Sequence, residues 1–242
     1  MKLRIIGLFA TSLIINACAT TGENPADPYE DFNRSMWEFN KSADKALLKP
    51  IAKGYKAITP DPVEKGVSNF FSNIGEVPTI INDVLQFKLG KALKDTGRFL
   101  INSTLGLAGL LDPATDMGLE HQPEDFGQTL ATWGVGDGAY IMLPFFGPST
   151  TRDAFGQGVD SFVIYNLYDE MNDDQTEIGL RVLDVVQTRA GLLSLEDQLN
   201  SAPDDYTLIR DVYLQRREFL IHDGKPSIED DECEFEEDCE DF

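Results

Sequence analysis

The sequence predicts an all-α fold, and three observations lead to that prediction. Apolar residues recur with a period near 3.6 through most of the chain, whereas runs that alternate every second residue are few. Prolines stand where several of these periodic segments begin or end. The chain has 242 residues, 42% of them hydrophobic, which is ordinary globular composition and enough to form a buried core.

The first 17 residues have the composition of a secretory signal peptide. Lys2 and Arg4 precede an apolar stretch over residues 5–15, which is too short to span a bilayer stably. The next residues, Ile-Asn-Ala-Cys at 15–18, resemble a bacterial lipobox, so we expect cleavage before Cys18 and lipidation of that residue. The alternative is an ordinary signal peptide with a chance cysteine. The residue after Cys18 is not aspartate, which by resemblance to enterobacterial sorting favours delivery to the outer membrane.

A polar tether over residues 18–28 leads into the first helical segments. Apolar residues at helical spacing run from Phe32 to Leu47. Pro50 then marks a break or a new start, and a short helix is expected over residues 51–58. These segments open a helical domain that we place at residues 29–224.

The next segments are again delimited by proline and glycine. Asp61 is suited to an N-cap, with Pro62 at the first helical position. Pro78 is expected to open a separate helix, and Gly90 to separate that helix from the one that follows. Six phenylalanines in these segments can face either lipid or core, and the core is the default expectation: Phe32, Phe39, Phe70, Phe71, Phe87 and Phe99.

The middle of the chain carries three further segments. Residues 105–111 are apolar with two glycines, and Pro113 ends them. Pro123 opens a segment whose acidic residues suit the positive end of a helix. Ser149 is expected to cap a helix that continues through Val163, and two long helices are expected near residues 175–200 and 204–222.

Residues 134–148 differ from the rest because glycines stand at alternate positions, which is poor helix material. We predict a glycine-hinged loop or short hairpin here. The glycines indicate either a loop that moves or a static tight turn. The residues that form this candidate channel and gate loop are Gly134, Gly136, Gly138, Tyr140, Pro144, Gly147 and Pro148.

The C-terminal residues 225–242 are predicted to be an acidic, disordered tail. Residues 229–242 hold ten acidic residues and no basic one. Cys233 and Cys239 lie in this tail and face an oxidising periplasm, so either a disulfide or two free thiols is open.

Charge and missing motifs exclude several function classes. The net charge of −22 disfavours nucleic-acid binding, and two histidines and three cysteines leave little for a metal site, so no metal or cofactor is expected. There is no G-x-S-x-G, H-E-x-x-H or phosphate-binding loop, so we expect no enzyme. A lipid hydrolase using Ser149 and His121 is the unsupported alternative. Asp160 is interpreted as a helix-exposed or capping acid.

Several gapped motifs over residues 27–222 resemble the VacJ/MlaA family of outer-membrane lipoproteins. The matching segments, in order, are DPYEDFNR at 27–34, MWEFN at 36–40, NFF at 69–71, NDVLQ at 82–86, RFLINS at 98–103, DP at 112–113, EDFGQTL at 124–130, WGVG at 133–136, LP at 143–144, GPS at 147–149 and RD at 152–153. Where family members often have Gly-Pro-Tyr, this chain has Gly138-Ala139-Tyr140.

The resemblance implies a fold and a role. The family fold is a disc of short amphipathic helices in the inner leaflet, around a central amphipathic channel. Its role is to take stray phospholipids from the outer leaflet and pass them to a periplasmic carrier protein, and its members associate with a porin trimer. Arg98 and Arg152 are candidate headgroup contacts, although Arg152 and Asp153 equally suit a structural ion pair.

The sequence is compatible with that disc. After the signal peptide no apolar run approaches the roughly 20 residues of a spanning helix, and the mean hydropathy is −0.23. Short amphipathic helices that lie in the interface need only one apolar face. A lipoprotein that merely braces porins is the competing structural hypothesis.

Overall fold

The computed structural model describes residues 24–171 and 174–225. Within them the all-α prediction is confirmed, with one short antiparallel hairpin inserted among the helices. The helices are α1 (Glu30–Ala43), α2 (Lys49–Ile58), α3 (Asp61–Leu85), α4 (Leu89–Thr104), α5 (Pro113–Asp116), α6 (Phe126–Thr132), α7 (Thr151–Met171), α8 (Asp174–Gly191), α9 (Glu196–Ser201) and α10 (Asp205–Ile221).

The expected new start at Pro50 is present, but the chain does not break before it. A π-helical turn over Asp44–Leu48 connects α1 to α2, and Pro50 is the second residue of α2. Proline has no N–H to donate, and Lys49 before it donates its N–H to the carbonyl of Asp44, so the chain enters α2 through the wider hydrogen-bond spacing of the π turn.

The two helices expected on either side of Pro78 form one helix, α3, so the separate start predicted at Pro78 is wrong. Proline removes one backbone donor and usually breaks a helix interior. In α3 the polar residues around Pro78 are buried against neighbouring helices, and this tertiary packing outweighs the local preference. Helix α3 begins one residue earlier than expected, because Pro60 is its N-cap and Asp61 is already helical.

The expected cap at Ser149 is also wrong by one residue. Ser149 lies in strand β2, and α7 begins at Thr151. The hydroxyl of Thr150 accepts the backbone N–H of Asp153 at 3.2 Å, so Thr150 supplies the capping bond instead. The sequence reads Pro-Ser-Thr-Thr here. Serine and threonine are both favoured N-cap residues, so residue type alone does not decide which of the three hydroxyl residues caps the helix.

The glycine-rich segment forms the expected hairpin. Strand β1 (Tyr140–Leu143) pairs with β2 (Gly147–Thr150) in antiparallel register, with Tyr140 opposite Thr150 and Leu143 opposite Gly147. The hairpin packs on α1 through β1, and on α7 and α10 through β2.

Packing pairs the longer helices. Helix α3 lies along α4, α6 along α7, and α2 along α8. The described residues form one cluster of buried apolar side chains, and it is small: Tyr140 and Met142 of β1 contact Tyr206 of α10 at the hairpin. Most other buried side chains are polar or charged, and the candidate site depends on this feature.

Candidate functional site: an inverted interior and a hairpin between two cavities

The described part of the molecule buries polar side chains and exposes apolar ones. The buried polar and charged residues outnumber the buried hydrophobic ones, and they include Glu76, Asn82, Asp83, Gln86, Asp95, Arg98, Asn102, Glu124, Gln128, Thr129, Arg152 and Asp153. Large exposed hydrophobics occur on most of the helices, for example Phe32, Phe39, Leu47, Ile58, Phe87, Leu93, Leu105, Phe145, Phe146, Phe155 and Phe162.

This distribution corrects the default expectation for the phenylalanines. Phe32, Phe39 and Phe87 are exposed, whereas Phe71 is buried and contacts Phe70 edge-on. An exposed apolar surface of this extent is expected only where another apolar medium covers it. The periodicity identified the apolar faces correctly but not the side on which they lie.

Arg98 shows how the polar interior is satisfied. Its Nε donates to Glu76 Oε1 at 2.6 Å, Nη2 donates to Asp112 Oδ2 at 3.1 Å, and Nη1 donates to the hydroxyl of Thr115 and the carbonyl of Leu119. The side chain is buried, and each of its nitrogens already has an acceptor within the chain. This geometry holds α4 to α3 and α5, and it uses four of the five N–H donors that Arg98 would need for its candidate headgroup role.

A series of side-chain hydrogen bonds connects α3, α6 and α7 in the interior, through neutral side chains and one carboxylate. Gln86 Nε2 donates to the hydroxyl of Thr129 at 3.1 Å, and that hydroxyl lies 2.8 Å from Asn82 Oδ1. Asn82 Nδ2 donates in turn to Asp160 Oδ1 at 3.0 Å. These bonds satisfy buried polar groups that would otherwise be costly.

Asp83 and Asp95 form a buried carboxyl pair between α3 and α4. Both are almost fully buried, and no other described group donates a hydrogen bond to either carboxylate. Burial and the neighbouring carboxyl groups of Asp95 and Glu124 together raise the pKa of Asp83 to about 8, against the opposing charge of Lys91. Burial likewise raises the pKa of Asp95. The pair therefore holds a proton at neutral pH.

Two asparagines of α1 hold the hairpin. Asn33 Nδ2 donates to the carbonyl of Tyr140 at 3.1 Å, and its Oδ1 accepts the N–H of Met142 at 2.8 Å. Seven residues later, Asn40 repeats the arrangement with the carbonyl of Leu143 and the N–H of Phe145. Each amide thus replaces one residue of a neighbouring strand. This role of the two asparagines was not predicted from the sequence. The signal for it was the Phe-Asn pair that occurs at 32–33 and again seven residues later at 39–40, on the same face of α1.

The candidate gate glycines have different roles. Gly138 has φ +68°, and a Cβ built there would lie 1.9 Å from Thr151 Oγ1, so a side chain is excluded. Gly134 and Gly147 have positive φ but open space around them. Gly136 has neither a positive φ nor a close neighbour. A tight static turn therefore accounts for Gly138 and leaves Gly136 unexplained by local geometry.

Pro148 of β2 separates two cavities. On one side lies a polar cavity of about 380 Å³, lined by Asp125, Pro148, Ser149, Asp153, Gln157, Asp160, Ser161, Ile164, Tyr213 and Arg217. On the other side lies a mainly apolar cavity of about 430 Å³, whose walls include Trp37, Leu48, Phe145, Phe146, Pro148, Leu192, Leu195, Leu199 and Ile209. The charged residues Lys41, Asp44, Arg189 and Glu196 also line it. The remaining gate residues Tyr140 and Pro144 lie in β1 and at the hairpin tip, with Tyr140 buried and Pro144 exposed.

Arg217 organises the polar cavity. Its Nη1 and Nη2 donate to Asp125 at 2.5 and 3.0 Å, and its Nε donates to Asp153 at 2.8 Å. Although burial opposes ionisation, the Arg217 guanidinium lowers the pKa of Asp125. Tyr213 donates a further hydrogen bond to Asp153 at 2.8 Å. No motif or spacing in the sequence predicted this role of Arg217, which follows another arginine on α10.

Arg152 forms the ion pair that its adjacency to Asp153 suggested. Its Nη2 lies 3.1 Å from Asp153 Oδ1, and Nη1 contacts Asp137. Ser149 and His121, the residues of the alternative hydrolase hypothesis, have different partners. Ser149 donates to the carbonyl of Thr150, and His121 Nδ1 lies 2.9 Å from Glu76. None of the described contacts joins Ser149 to His121.

Other predicted features lie outside the described residues, namely Cys18, Cys233 and Cys239. Across the described ranges no helix is both long and apolar enough to cross a membrane. The same ranges contain no group of three or more histidine, cysteine or acidic residues arranged to hold a metal ion.

Comparison with known proteins gives consistent matches. The family model for the MlaA lipoprotein matches residues 25–220. The intermembrane phospholipid transport system lipoprotein MlaA of Escherichia coli is 33% identical over 232 residues, covering 93% of this chain and 91% of that protein. The protein of the same name from Haemophilus influenzae is 31% identical over 230 residues, covering 91% of each.

A solved structure also matches. It was reported under "Structural basis for maintenance of bacterial outer membrane lipid asymmetry", and the two folds superpose with a TM-score of 0.70 at 34% sequence identity. The match covers 81% of this chain and 98% of the other.

Proposed function

The chain belongs to the MlaA lipoprotein family, and we propose from that premise that it is an outer-membrane lipoprotein of intermembrane phospholipid transport. In this role it removes misplaced phospholipids from the outer leaflet and passes them to a periplasmic lipid carrier. The observation that supports this role best is the inversion of polarity, with charged and amide side chains inside and hydrophobic ones outside.

That inversion matches the physical problem of moving a phospholipid. A charged headgroup that crosses hydrocarbon loses its hydration, at a cost of several kcal/mol or more. A protein whose outer surface is compatible with acyl chains and whose interior offers polar partners lowers that cost without any covalent step. The small hydrophobic core of this molecule is consistent with stabilisation by surrounding lipid rather than by water exclusion alone.

The position in the membrane follows from the same surface. Exposed apolar residues on short helices suit a protein embedded in one leaflet, and we place it in the periplasm-facing inner leaflet. Lipidation at Cys18 would add acyl anchors, while residues 18–28 would serve as the tether and residues 225–242 as the acidic tail.

The hairpin is the candidate gate. It carries two exposed phenylalanines at its tip and lies between the polar and apolar cavities. Its attachment to α1 depends on the side chains of Asn33 and Asn40, which allows the tip to move when those bonds break. The porin trimer and the carrier are proposed as partners because phospholipid must enter from one side and leave on the other.

The test is deletion of the gene, with outer-leaflet phospholipid and detergent sensitivity measured. We expect both to rise and to be restored by the wild-type protein. The Cys18→Ser variant should fold but leave the outer-membrane fraction and fail to complement. Unchanged outer-leaflet phospholipid in the deletion strain would favour the porin-bracing hypothesis and contradict transport. Phospholipid turnover by the purified protein, lost in Ser149→Ala, would indicate the hydrolase instead.

A further inference from the structure

The two cavities on either side of Pro148 have opposite chemistry, as do the two ends of a phospholipid. We propose that one phospholipid binds across Pro148, with an acyl chain in the apolar cavity and its headgroup in the polar cavity, where Asp160 selects headgroups that carry an amine. This inference rests on the proposed function and adds a substrate preference to it. The ligand class is a zwitterionic phospholipid such as phosphatidylethanolamine, in preference to an anionic one such as phosphatidylglycerol.

The charge of the polar cavity carries the first step. Asp125 and Asp153 share the guanidinium of Arg217, and Asp153 also pairs with Arg152, so these two carboxylates are balanced by two cations. Asp160 adds another carboxylate that also lines the cavity. The excess is therefore acidic, and a headgroup with net negative charge is repelled relative to one whose ammonium offsets its phosphate.

Asp160 is the carboxylate of this cavity that has no salt-bridge partner among the described residues. It accepts hydrogen bonds from Asn82 Nδ2 at 3.0 Å and from the backbone N–H of Phe126 at 2.8 Å, and both donors are neutral. Among the described residues no cationic side chain lies within salt-bridge distance of it. Burial raises the pKa of Asp160 and the Asp125 carboxylate adds to this rise, whereas the hydrogen bonds from Phe126 and Asn82 and the more distant charge of Arg217 oppose it. A bound ammonium group would supply the salt-bridge partner.

Arg217 does not provide an anion site of comparable strength. Four hydrogen bonds from its Nε and both terminal nitrogens go to the two carboxylates, so most of its donors are used within the chain. The phosphate that both lipid classes share would instead meet uncharged donors, of which Ser161 and Gln157 line the same cavity. The cavity therefore discriminates at the amine and not at the phosphate.

The apolar cavity carries the second half of the proposal. Leu195, Leu199 and Ile209 form its walls beneath the exposed hairpin phenylalanines, and it adjoins the polar cavity at Pro148. An apolar and a polar compartment that share one wall residue, Pro148, fit an amphiphile better than either a soluble amine or a hydrocarbon alone.

The experiment measures which lipid the full-length, lipidated protein retains. The purified protein is incubated with vesicles that contain equal amounts of phosphatidylethanolamine and phosphatidylglycerol, and the bound lipids are extracted and quantified by mass spectrometry. We expect phosphatidylethanolamine to be enriched about fivefold in the wild type, the size of effect that one partly desolvated charge pair gives. Asp160→Asn should reduce the ratio to that of the vesicles with the amount of bound lipid maintained, and Asp160→Glu should restore the preference.

Matched controls separate this effect from general ones. Asp197→Asn removes an exposed acid on α9 away from the polar cavity and should leave the ratio unchanged. Leu199→Trp should reduce the total lipid bound at an unchanged ratio, whereas Leu208→Trp, outside the apolar cavity, should do neither.

Three outcomes would overturn the proposal. Wild-type protein that binds both lipids equally contradicts amine selection, whatever the folding of the variants. An Asp160→Asn protein that keeps the preference contradicts the role of Asp160, and a Leu199→Trp protein that retains full lipid contradicts the acyl cavity. If the wild type bound no phospholipid at all, the proposed function itself would fail. This outcome differs from binding without a headgroup preference, which would contradict only the selection by Asp160.

Discussion

Asn40 accepts the backbone N–H of Phe145 at 2.8 Å, and Phe145 stands at the hairpin tip with φ +65°. The same amide donates to the carbonyl of Leu143 at 2.9 Å, and the rings of Phe39 and Phe145 meet edge-on at 5.3 Å. The tip of the hairpin is thus fixed to α1 by one side-chain amide and one aromatic contact, at the boundary of the apolar cavity.

The first prediction follows from this attachment. Asn40→Ala removes both hydrogen bonds at the hairpin tip, and we expect a loss of about 1–2 kcal/mol in local stability with little effect on the fold. A gate that no longer closes allows phospholipid to move down its gradient, so outer-leaflet phospholipid and detergent sensitivity should rise at normal protein abundance. Asn69→Ala, an exposed amide on α3, is the control. Wild-type outer-leaflet lipid in the Asn40→Ala strain would contradict gating by the hairpin.

The second prediction distinguishes the glycines. Gly138→Ala places a Cβ against Thr151 at a positive φ, and we expect it to destabilise the protein by about 1–3 kcal/mol and lower its abundance. Gly136→Ala meets open space and should change stability by less than about 0.5 kcal/mol. Thermal unfolding and immunoblotting measure both. Gly136→Val then tests movement directly, because normal abundance with altered lipid export would show that flexibility at this position is used.

The fold was largely predictable from the sequence because helices leave a periodic pattern, and helices are present in most of the segments predicted from Phe32 onwards. The two helices predicted around Pro78 form one, and the long helix predicted near residues 175–200 is divided into α8 and α9 by a 3-10 turn. The errors have two physical origins. Local preferences misplaced the boundaries at Pro78 and Ser149, where tertiary packing or a neighbouring hydroxyl decides. Periodicity also separates the two faces of a helix without showing which one faces the protein interior. The default expectation therefore placed Phe32 and Phe87 in the core, whereas both are exposed.

The candidate site was predictable only in part. The glycine spacing located the hairpin, because positive backbone angles leave a trace in composition. Arg217 and Asp160 left no such trace, since their importance arises from contacts between α7, α6 and α10 that are distant in the chain. Long-range ion pairs of this kind are set by the packed fold and not by local spacing.

The third prediction concerns the pH dependence set by Asp83. Its pKa is about 8 in the folded protein and near 4 in an unfolded chain, so the folded state binds the proton more tightly. Stability is then greatest below pH 4 as far as this group is concerned, and it decreases as the pH rises towards 8. Asp83→Asn should stabilise the protein by about 1–3 kcal/mol at pH 9 and flatten the profile between pH 5 and 9. Asp116→Asn, an exposed acid on α5, should leave the profile unchanged.

The fourth prediction tests the ion cluster of the polar cavity. Arg217→Met leaves the Asp125 carboxylate without its salt-bridge partner, while Asp153 keeps only Arg152, and we expect a loss of about 3 kcal/mol in the free energy of unfolding. Arg216→Met removes the neighbouring exposed arginine of α10 and should cost less than about 0.5 kcal/mol. Chemical denaturation in detergent measures the difference. Equal effects of the two variants would show that the cluster does not stabilise the fold.

The last prediction concerns Phe87, whose position is unfavourable by two criteria in water. It follows the end of α3 in the left-handed conformation, φ +59°, and its ring is 85% exposed. The N–H of Phe87 bonds to the carbonyl of Val84 and the N–H of Lys88 to that of Asp83, the helix ending in which glycine is usual. A phenylalanine at this position is explicable if its ring enters lipid, where burial of an aromatic side chain contributes about 1.5–3 kcal/mol. Phe87→Gly should therefore raise the free energy of unfolding by about 1 kcal/mol while weakening binding to vesicles about tenfold, measured in a Cys18→Ser background so that acyl anchors do not mask the change. Phe87→Trp keeps a ring and should retain binding without the gain in stability. Unchanged vesicle binding by Phe87→Gly would contradict insertion of this side chain into the membrane.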